Sequence, residues 1–296
     1  MIEGPDPRLR GRDGALVGGT YRKDPPALCR DVTPLTRPCA SVGRVLVRMW
    51  GIGRSLAIYH GQPGRHRRLR RFYGQFLRPG DLGFDMGAHV GNRVRAWRSL
   101  GARVVAVEPQ PDFVRVLRLL FGRDPGVTVL PQAVGGRGGR ASLRIATATP
   151  TVSSLSPAWM STVAADRRFG RVRWDRTIEV EVVTLDDLVT AYGRPAFCKV
   201  DVEGFEAEVL SGLTRPVAAL SFEYLPPAHE AGLAALAEVV RLGAGSSGYE
   251  YNYSPVETLR FAADEWVDAA GLERLLDRIR PQGRSGDVYA RLTAPA

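Results

Sequence analysis

The chain has 296 residues, of which 44% are hydrophobic, enough to line a sizeable core, so disorder throughout is excluded. Apolar runs are interrupted by arginine within a few residues, and no segment approaches the roughly 20 apolar residues of a membrane-spanning helix. Cys29, Cys39 and Cys198 show no metal-type spacing and no disulfide framework, which favours a reducing, cytoplasmic location.

The net charge of +10 is distributed unevenly along the chain. Residues 1–80 hold 16 Lys and Arg against 5 Asp and Glu, a net charge of +11, whereas residues 81–296 hold 25 against 26, a net charge of −1. Because the longer part is nearly neutral, it lacks the basic footprint of a nucleic-acid-binding domain, and no nucleic-acid partner is expected for it.

The N-terminal part is predicted as an arm over residues 1–71. Residues 1–40 are rich in Pro, Gly and Arg and show no helical or alternating period, so we expect them to be mobile and without a secretion signal. Residues 41–60 place arginines between apolar side chains, a pattern that permits a short amphipathic helix. Three roles are open for such a helix: it packs on the following domain, it covers a bound substrate, or it contacts an anionic membrane surface. The arginine-rich segment 65–71 carries the same alternatives.

From residue 81 short apolar runs alternate with helical stretches, as in a parallel sheet covered by helices on both faces. The predicted strands are Asp81–Asp85, Arg103–Glu108, Val127–Pro131, Ala196–Asp201, Val217–Glu223, Tyr249–Tyr253 and Gly286–Arg291. The predicted helices are Asn92–Leu100, Asp112–Phe121, Phe205–Leu213, Ala228–Leu242 and Asp264–Ile279. Residues 141–183 interrupt the alternation and are predicted to form an inserted hairpin and loop over the active site. We therefore expect one α/β domain over residues 72–296.

A glycine-rich turn, Asp85-Met86-Gly87-Ala88-His89-Val90-Gly91-Asn92, follows the first predicted strand. Glycine permits a positive φ and a close backbone approach, so Gly87 and Gly91 indicate a ligand against the turn. Neither a dinucleotide-binding Gly-x-Gly-x-x-Gly nor a phosphate-binding Gly-Lys-Ser/Thr is present. Asp85 suits a cationic amino acid group better than a pyrophosphate, which favours S-adenosylmethionine. An NAD(P)-dependent oxidoreductase is the alternative.

Further positions are predicted to contact this cofactor. Glu108 ends the second strand 17 residues after Gly91, where a carboxylate can accept both hydroxyls of a ribose. Gln132 follows the third strand, where an adenine edge would be read, and Phe113 would cover the ring. The predicted cofactor-binding residues are Asp85, Gly87, His89, Gly91, Asn92, Glu108, Pro109, Phe113, Gln132 and Ala133.

Five segments follow one another in a specific order: Phe84-Asp85-Met86-Gly87-Ala88-His89-Val90-Gly91, Val107-Glu108-Pro109-Gln110-Pro111, Ser153-Ser154-Leu155, Lys199-Val200-Asp201-Val202-Glu203-Gly204-Phe205-Glu206 and Gly286-Asp287-Val288-Tyr289-Ala290. In this order the chain resembles, over about residues 72–292, the FkbM family of S-adenosylmethionine-dependent O-methyltransferases. The family usually carries Asn where His89 stands, and His89 is expected to offer its backbone N–H. The resemblance implies a Rossmann-like class I methyltransferase sheet of seven strands, the last one antiparallel.

The fourth and fifth predicted strands end in carboxylates. Open α/β sheets bind ligands at the carboxyl ends of their strands, so Asp201, Glu203 and Glu223 are predicted as catalytic residues facing one crevice. An acceptor hydroxyl needs a base or a metal ion to take up its charge. The arrangement resembles the Mg²⁺ site of catechol and macrolide-sugar O-methyltransferases, in which case Asp201 and Glu223 hold the ion. Metal-free base catalysis is the alternative.

The expected reaction is methyl transfer from S-adenosylmethionine to a hydroxyl of the acceptor. The acceptor is expected to be a glycan, a glycolipid or a small-molecule secondary metabolite. Ser153, Ser154 and Trp159 in the insertion, and His229 after the fifth strand, are predicted to contact this acceptor. For Trp159 the alternative is that it anchors the insertion to the core. A non-catalytic module that binds a polyanion through the basic arm is the remaining alternative for the whole chain.

Overall fold

The structure is a computed structural model that describes residues 40–170, 172–256 and 258–293; the predictions for residues 1–39 lie outside the described residues. The helices are α1 (Ala40–His60), α2 (Arg65–Tyr73), α3 (Asn92–Arg98), α4 (Pro111–Phe121), α5 (Pro157–Ala165), α6 (Leu185–Tyr192), α7 (Glu206–Ser211), α8 (His229–Gly243) and α9 (Ala269–Ile279). The strands are β1 (Leu82–Met86), β2 (Arg103–Val107), β3 (Val127–Leu130), β4 (Ala133–Val134), β5 (Gly139–Ile145), β6 (Arg176–Val183), β7 (Phe197–Val200), β8 (Ala219–Tyr224), β9 (Tyr249–Pro255) and β10 (Gly286–Leu292).

Seven of these strands form one sheet in the order β3-β2-β1-β7-β8-β10-β9. Strand β10 runs antiparallel to both of its neighbours, and the remaining pairs are parallel. This confirms the Rossmann-like class I methyltransferase sheet with an antiparallel last strand. The chain order reverses between β1 and β7, and such a switch point creates a crevice at the carboxyl ends of the strands.

The two faces of the sheet have separate cores because successive strand residues point to opposite sides. Val105 of β2 packs in the cluster that includes Leu210 of α7 and Leu236 of α8. Its neighbour Val104 packs in the cluster that includes Tyr73 of α2 and Trp97 of α3. Helices therefore cover both faces, as the alternating sequence pattern predicts.

The N-terminal helices are packed on this domain. The predicted helix over residues 41–60 is present as α1, and α2 spans the boundary that the sequence placed after residue 71. Leu69, Phe72 and Tyr73 of α2 are buried in the second core cluster. The boundary predicted after residue 71 therefore falls within a helix whose apolar face packs in the core.

The predicted insertion contains an antiparallel pair, β5 and β6, which β4 extends to a three-stranded sheet. Helix α5 lies between the two strands in sequence. Helix α9 begins later than the predicted Asp264, because Asp268 caps it by accepting the Gly271 N–H at 2.7 Å. Among the described helices, none combines the length and apolar character needed to cross a membrane.

Candidate active site

A pocket lies where β1, β2, β7 and β8 end and where β10 begins. Gln132, just before β4, and Ser153, in the insertion, also line it. The pocket therefore lies between the strand ends and the insertion.

The structure divides the residues predicted for the site into two groups. Ten of them line the pocket: Gly87, His89, Glu108, Pro109, Gln132, Ala133, Ser153, Asp201, Glu203 and Glu223. Seven do not line it: Asp85, Gly91, Asn92, Phe113, Ser154, Trp159 and His229. For the first group the predicted roles remain predictions, now with a common location.

Glu108 is held rigidly at the end of β2. Its Oε2 accepts the His89 N–H and its Oε1 accepts the Gln110 N–H, both at 2.9 Å. Burial raises the pKa of Glu108 to about 7 against the lowering effect of these two hydrogen bonds. Each oxygen keeps a further lone pair, so the carboxylate can still accept hydroxyl groups from a ligand. The backbone N–H of His89, predicted to face the cofactor, is instead used to orient Glu108.

The two glycines of the turn are required by neighbouring protein atoms. A Cβ on Gly87 would lie 1.9 Å from the Asp201 carbonyl oxygen, and one on Gly91 would lie 2.5 Å from the Phe121 ring. Both have a positive φ, +82° and +74°. The inference that a ligand demands these glycines is therefore corrected: the loop after β7 and helix α4 demand them, although Gly87 also borders the pocket.

Three other predicted cofactor residues lie behind the pocket wall. Phe113 is buried under His89, with the two ring centroids 4.1 Å apart, so it does not cover a ligand in the pocket. Asn92 is buried in the first turn of α3. Asp85 is buried in β1, and within the described chain its Oδ2 has no hydrogen-bond partner. Burial raises the pKa of Asp85 to about 6.

Asp201, Glu203 and Glu223 come together as the sequence predicts. Each offers a carboxylate oxygen, and these oxygens lie within 4.8 Å of one another. Asp201 and Glu203 are delivered by the loop after β7, and Glu223 by β8 next to it. Two neighbouring strand ends therefore bring three carboxylates together. Carboxylate oxygens are the ligand atoms that Mg²⁺ prefers.

A buried lysine forms ion pairs with two carboxylates at this site. Lys199 is fully buried, and its Nζ lies 2.8 Å from Asp287 Oδ1 and 3.1 Å from Asp201 Oδ2. Burial and Arg93 alone would lower the pKa of Lys199, but Asp201 and Asp287 raise it overall, so the lysine stays charged. Arg93 lies 3.8 Å from Asp201 Oδ2 and bonds to the Tyr73 hydroxyl.

The turn that carries Glu203 is stabilised by the insertion. Glu203 has a φ of +55° and Gly204 one of +88°. The Ser154 hydroxyl donates to the Glu203 carbonyl oxygen at 2.6 Å, and a Cβ on Gly204 would lie 2.1 Å from Trp159. Ser154 and Trp159 are buried, which corrects their assignment as acceptor contacts. They position Glu203 from behind the pocket wall.

Glu206 and His229 are both buried, and their side chains form hydrogen bonds within the protein. Oε1 of Glu206 accepts the N–H groups of Val202 and Gly204, both at 3.1 Å, and burial raises the pKa of Glu206 to about 8. His229 is buried at the start of α8, and its Nδ1 pairs with the Tyr224 hydroxyl at 2.9 Å. This position does not support the assignment of His229 to the acceptor, because its imidazole is buried against Tyr224 outside the pocket, with Nε2 3.4 Å from Asp277 Oδ1.

The pocket residues that sequence reasoning missed include Tyr59, Arg93 and Asp287. The antiparallel β10 that the resemblance implied brings its amino-terminal end to this edge, where Asp287 pairs with Glu223, but the sequence analysis did not assign Asp287 to the site. The segment Gly286–Ala290 was itself a signal, since it occurs in the family pattern. Tyr59 closes the pocket from the end of α1, with its ring 5.2 Å from the His89 ring.

A curated relative, the hexuronic acid methyltransferase AglP of Haloferax volcanii, is 30% identical over 144 residues. The match covers 48% of this chain, and the chain spans about half of the relative's length, 54%.

Among solved structures, a precorrin-6y C5,15-methyltransferase from Geobacter metallireducens has a TM-score of 0.42 and 11% identity, covering 78% of this chain and 89% of that one. An O-methyltransferase from Bacillus cereus in complex with SAH has a TM-score of 0.41 and 11% identity, covering 86% and 92%. These likenesses are too weak to support an inference about activity.

The decisive match is to the sequence profile described as the methyltransferase FkbM domain, over residues 85–267, which spans the glycine turn, Glu108 and all three clustered carboxylates. An oxidoreductase is not supported by this match. The chain belongs to the FkbM methyltransferase family.

Proposed function

We propose that the protein transfers a methyl group from S-adenosylmethionine to a hydroxyl of a sugar-containing acceptor. The observation that carries the proposal is that one pocket joins Glu108 on one side with Asp201, Glu203 and Glu223 on the other. The first side suits a nucleoside, and the second suits the removal of a proton from an alcohol.

The residues on the nucleoside side fit S-adenosylmethionine. The Glu108 carboxylate can accept the ribose hydroxyls, and Gln132, which lines the same pocket, would bond to the adenine edge. The buried Asp85 carboxylate adds negative potential beside the turn, which favours the sulfonium and ammonium groups of this cofactor. A pyrophosphate would be repelled by the same carboxylate.

The acceptor side must align an oxygen with the methyl carbon and dispose of a proton. In the transfer, the acceptor oxygen forms a bond to the methyl carbon while the carbon–sulfur bond breaks, and S-adenosylhomocysteine leaves. The acceptor proton passes to a carboxylate of the cluster, and Asp201 is oriented for this by Lys199. Glu203 and Glu223 lie close enough to share the task.

The same cluster could stabilise the negative charge that develops on the acceptor oxygen in a second way. Asp201 and Glu223 could bind Mg²⁺ through oxygen atoms, with Glu203 as a further ligand. A bound cation would stabilise the developing negative charge on the acceptor oxygen. The cluster fits both proton transfer and Mg²⁺ binding, and the effect of a metal chelator on turnover distinguishes them.

A hexuronic acid is our first candidate for the acceptor, because the curated relative bears that name. Such a sugar offers both hydroxyls and a carboxylate as methyl acceptors. A carboxylate is already ionised and needs no base, so a pocket with three clustered carboxylates favours a hydroxyl.

The test is methyl transfer from isotopically labelled S-adenosylmethionine to methyl glucuronide and methyl glucoside, with the variant Asp201→Asn beside the native protein. We expect labelled product from a sugar in the native protein only. The label should resist alkaline hydrolysis, as an ether does, whereas a methyl ester would release methanol. An alkali-labile product would overturn the hydroxyl assignment, and full turnover by Asp201→Asn would overturn the catalytic one. The exposed Glu181→Gln variant is the matched control.

A further inference from the structure

The segment before β1 is rich in arginine. Residues 32–80 contain ten arginines and neither Asp nor Glu. In α2, Leu69, Phe72 and Tyr73 form the buried face, and the four arginines Arg67, Arg68, Arg70 and Arg71 point outward. Within the part of the chain that the structure describes, these four make no ion pair with an acidic residue. Their charge is therefore directed to solvent.

Helix α1, which precedes this cluster, presents large apolar side chains to solvent. Met49 is 63% exposed and Trp50 is 57% exposed. The Arg54 guanidinium lies 5.6 Å from the centroid of the Trp50 ring. Trp50, Gly53 and Ala57, at spacings of three and four residues, form an exposed helical face. An exposed indole flanked by arginine is typical of helices that lie in the headgroup region of a bilayer.

We infer that α1 and α2 form a docking surface for an anionic membrane, which we call the lipid-facing surface and define by Met49, Trp50, Arg67, Arg68 and Arg71. Arginines alone would also attract a nucleic acid. The exposed Met49 and Trp50 on the preceding helix favour the membrane, because their apolar groups gain free energy by leaving water for the acyl boundary.

This surface is connected to the catalytic pocket through α1. Tyr59, on the same helix, lines the pocket, and His60 anchors the helix end through its Nε2 at 2.8 Å from the Val90 carbonyl oxygen. Tyr59 follows Trp50 by nine positions in the helix, about 14 Å at the rise of an α-helix. A membrane bound at Trp50 would therefore lie close to the pocket mouth, where an acceptor attached to a lipid could enter.

The test is co-sedimentation of the full-length protein with phosphatidylcholine vesicles, with and without phosphatidylglycerol. We expect binding to the phosphatidylglycerol vesicles, weakened by salt, and little binding to phosphatidylcholine alone. Arg67→Ser with Arg68→Ser should weaken the binding roughly 30-fold, since each arginine near an anionic surface contributes about 1 kcal/mol. Trp50→Ala should weaken it roughly tenfold.

Matched controls are available elsewhere on the molecule. Arg137→Ser with Arg140→Ser removes two exposed arginines, and Leu119→Ala removes a side chain that is 86% exposed; neither change should alter vesicle binding. The proposal is overturned if both lipid mixtures bind equally, if Trp50→Ala binds phosphatidylglycerol as well as the native protein, or if a duplex oligonucleotide binds more tightly than the vesicles. None of these outcomes depends on methyltransferase activity, so the result stands apart from the proposed function.

Discussion

The backbone N–H of His89 donates to Oε2 of Glu108 at 2.9 Å, and this hydrogen bond joins the loops that follow β1 and β2. It aims the carboxylate at the pocket before any ligand binds. His89 adopts a φ of +50°, which non-glycine residues seldom occupy and which Asn and His tolerate better than most. A feature read in the sequence as a cofactor-binding turn is thus also a device that orients Glu108.

Glu108→Ala should abolish cofactor binding. Two hydrogen bonds from ribose hydroxyls to a charged acceptor are worth about 1.5–3 kcal/mol each, so the affinity for S-adenosylhomocysteine should fall 100-fold or more. Isothermal titration calorimetry measures the change, and the exposed Glu181→Ala variant is the control. An affinity within threefold of native, a difference of about 0.6 kcal/mol, would contradict the assignment of Glu108 to the ribose.

The affinity for S-adenosylhomocysteine should depend on pH through Glu108. Because burial raises the pKa of this carboxyl to about 7, it is largely protonated at lower pH and loses acceptor capacity there. Binding should therefore weaken as the pH falls through 7 and level off above it. Glu108→Gln removes this titration, which separates it from that of Asp85, whose pKa is raised to about 6. A native affinity that is constant across this range would argue against the role.

Asp201→Asn and Glu223→Gln should spare cofactor affinity and lower kcat by about 10²–10⁴-fold, the usual contribution of a positioned acid or base. If the cluster binds Mg²⁺, EDTA should lower turnover of the native protein, and added Mg²⁺ should restore it. Turnover that is insensitive to EDTA, together with inactive variants, assigns the cluster to direct proton transfer. Active variants would contradict both uses.

Ser154→Ala should lower kcat roughly tenfold without changing KM for S-adenosylmethionine. The variant leaves the Glu203 carbonyl without the 2.6 Å hydrogen bond that holds the strained turn, a loss of about 1–3 kcal/mol at a buried acceptor. Ser161→Ala, on the exposed side of α5, is the control within the same insertion. A raised KM for the acceptor with unchanged kcat would instead return Ser154 to the acceptor wall.

His229→Ala should destabilise the protein without affecting kcat/KM. The buried Tyr224 hydroxyl would lose its partner, which costs about 1–3 kcal/mol in the free energy of unfolding. Adding Tyr224→Phe removes the orphaned hydroxyl and should recover part of that loss. Denaturant unfolding measures both effects. A loss of turnover at native stability would show that the histidine acts in catalysis after all.

Much of the fold and part of the site followed from local sequence patterns. Short apolar runs between amphipathic stretches predicted the strands and helices, because burial on one face imposes its period on the chain. Glu108, Asp201 and Glu223 were identifiable because parallel strands bring their carboxyl ends to one edge, so that the topology places a residue at or just after each strand end.

Other features depended on contacts between distant segments, which no local pattern encodes. Asp287 reaches the pocket through the pairing of β10 with β8, and Gly87 is glycine because the Asp201 carbonyl occupies the place of its Cβ. Trp159 and His229 have chemistry suited to a substrate, yet packing against Gly204 and Tyr224 buries them. The sequence by itself determined which residue types lie at the strand ends. Only the tertiary structure decided which of them face the pocket, because burial and pairing are set by the packing of segments far apart in the chain.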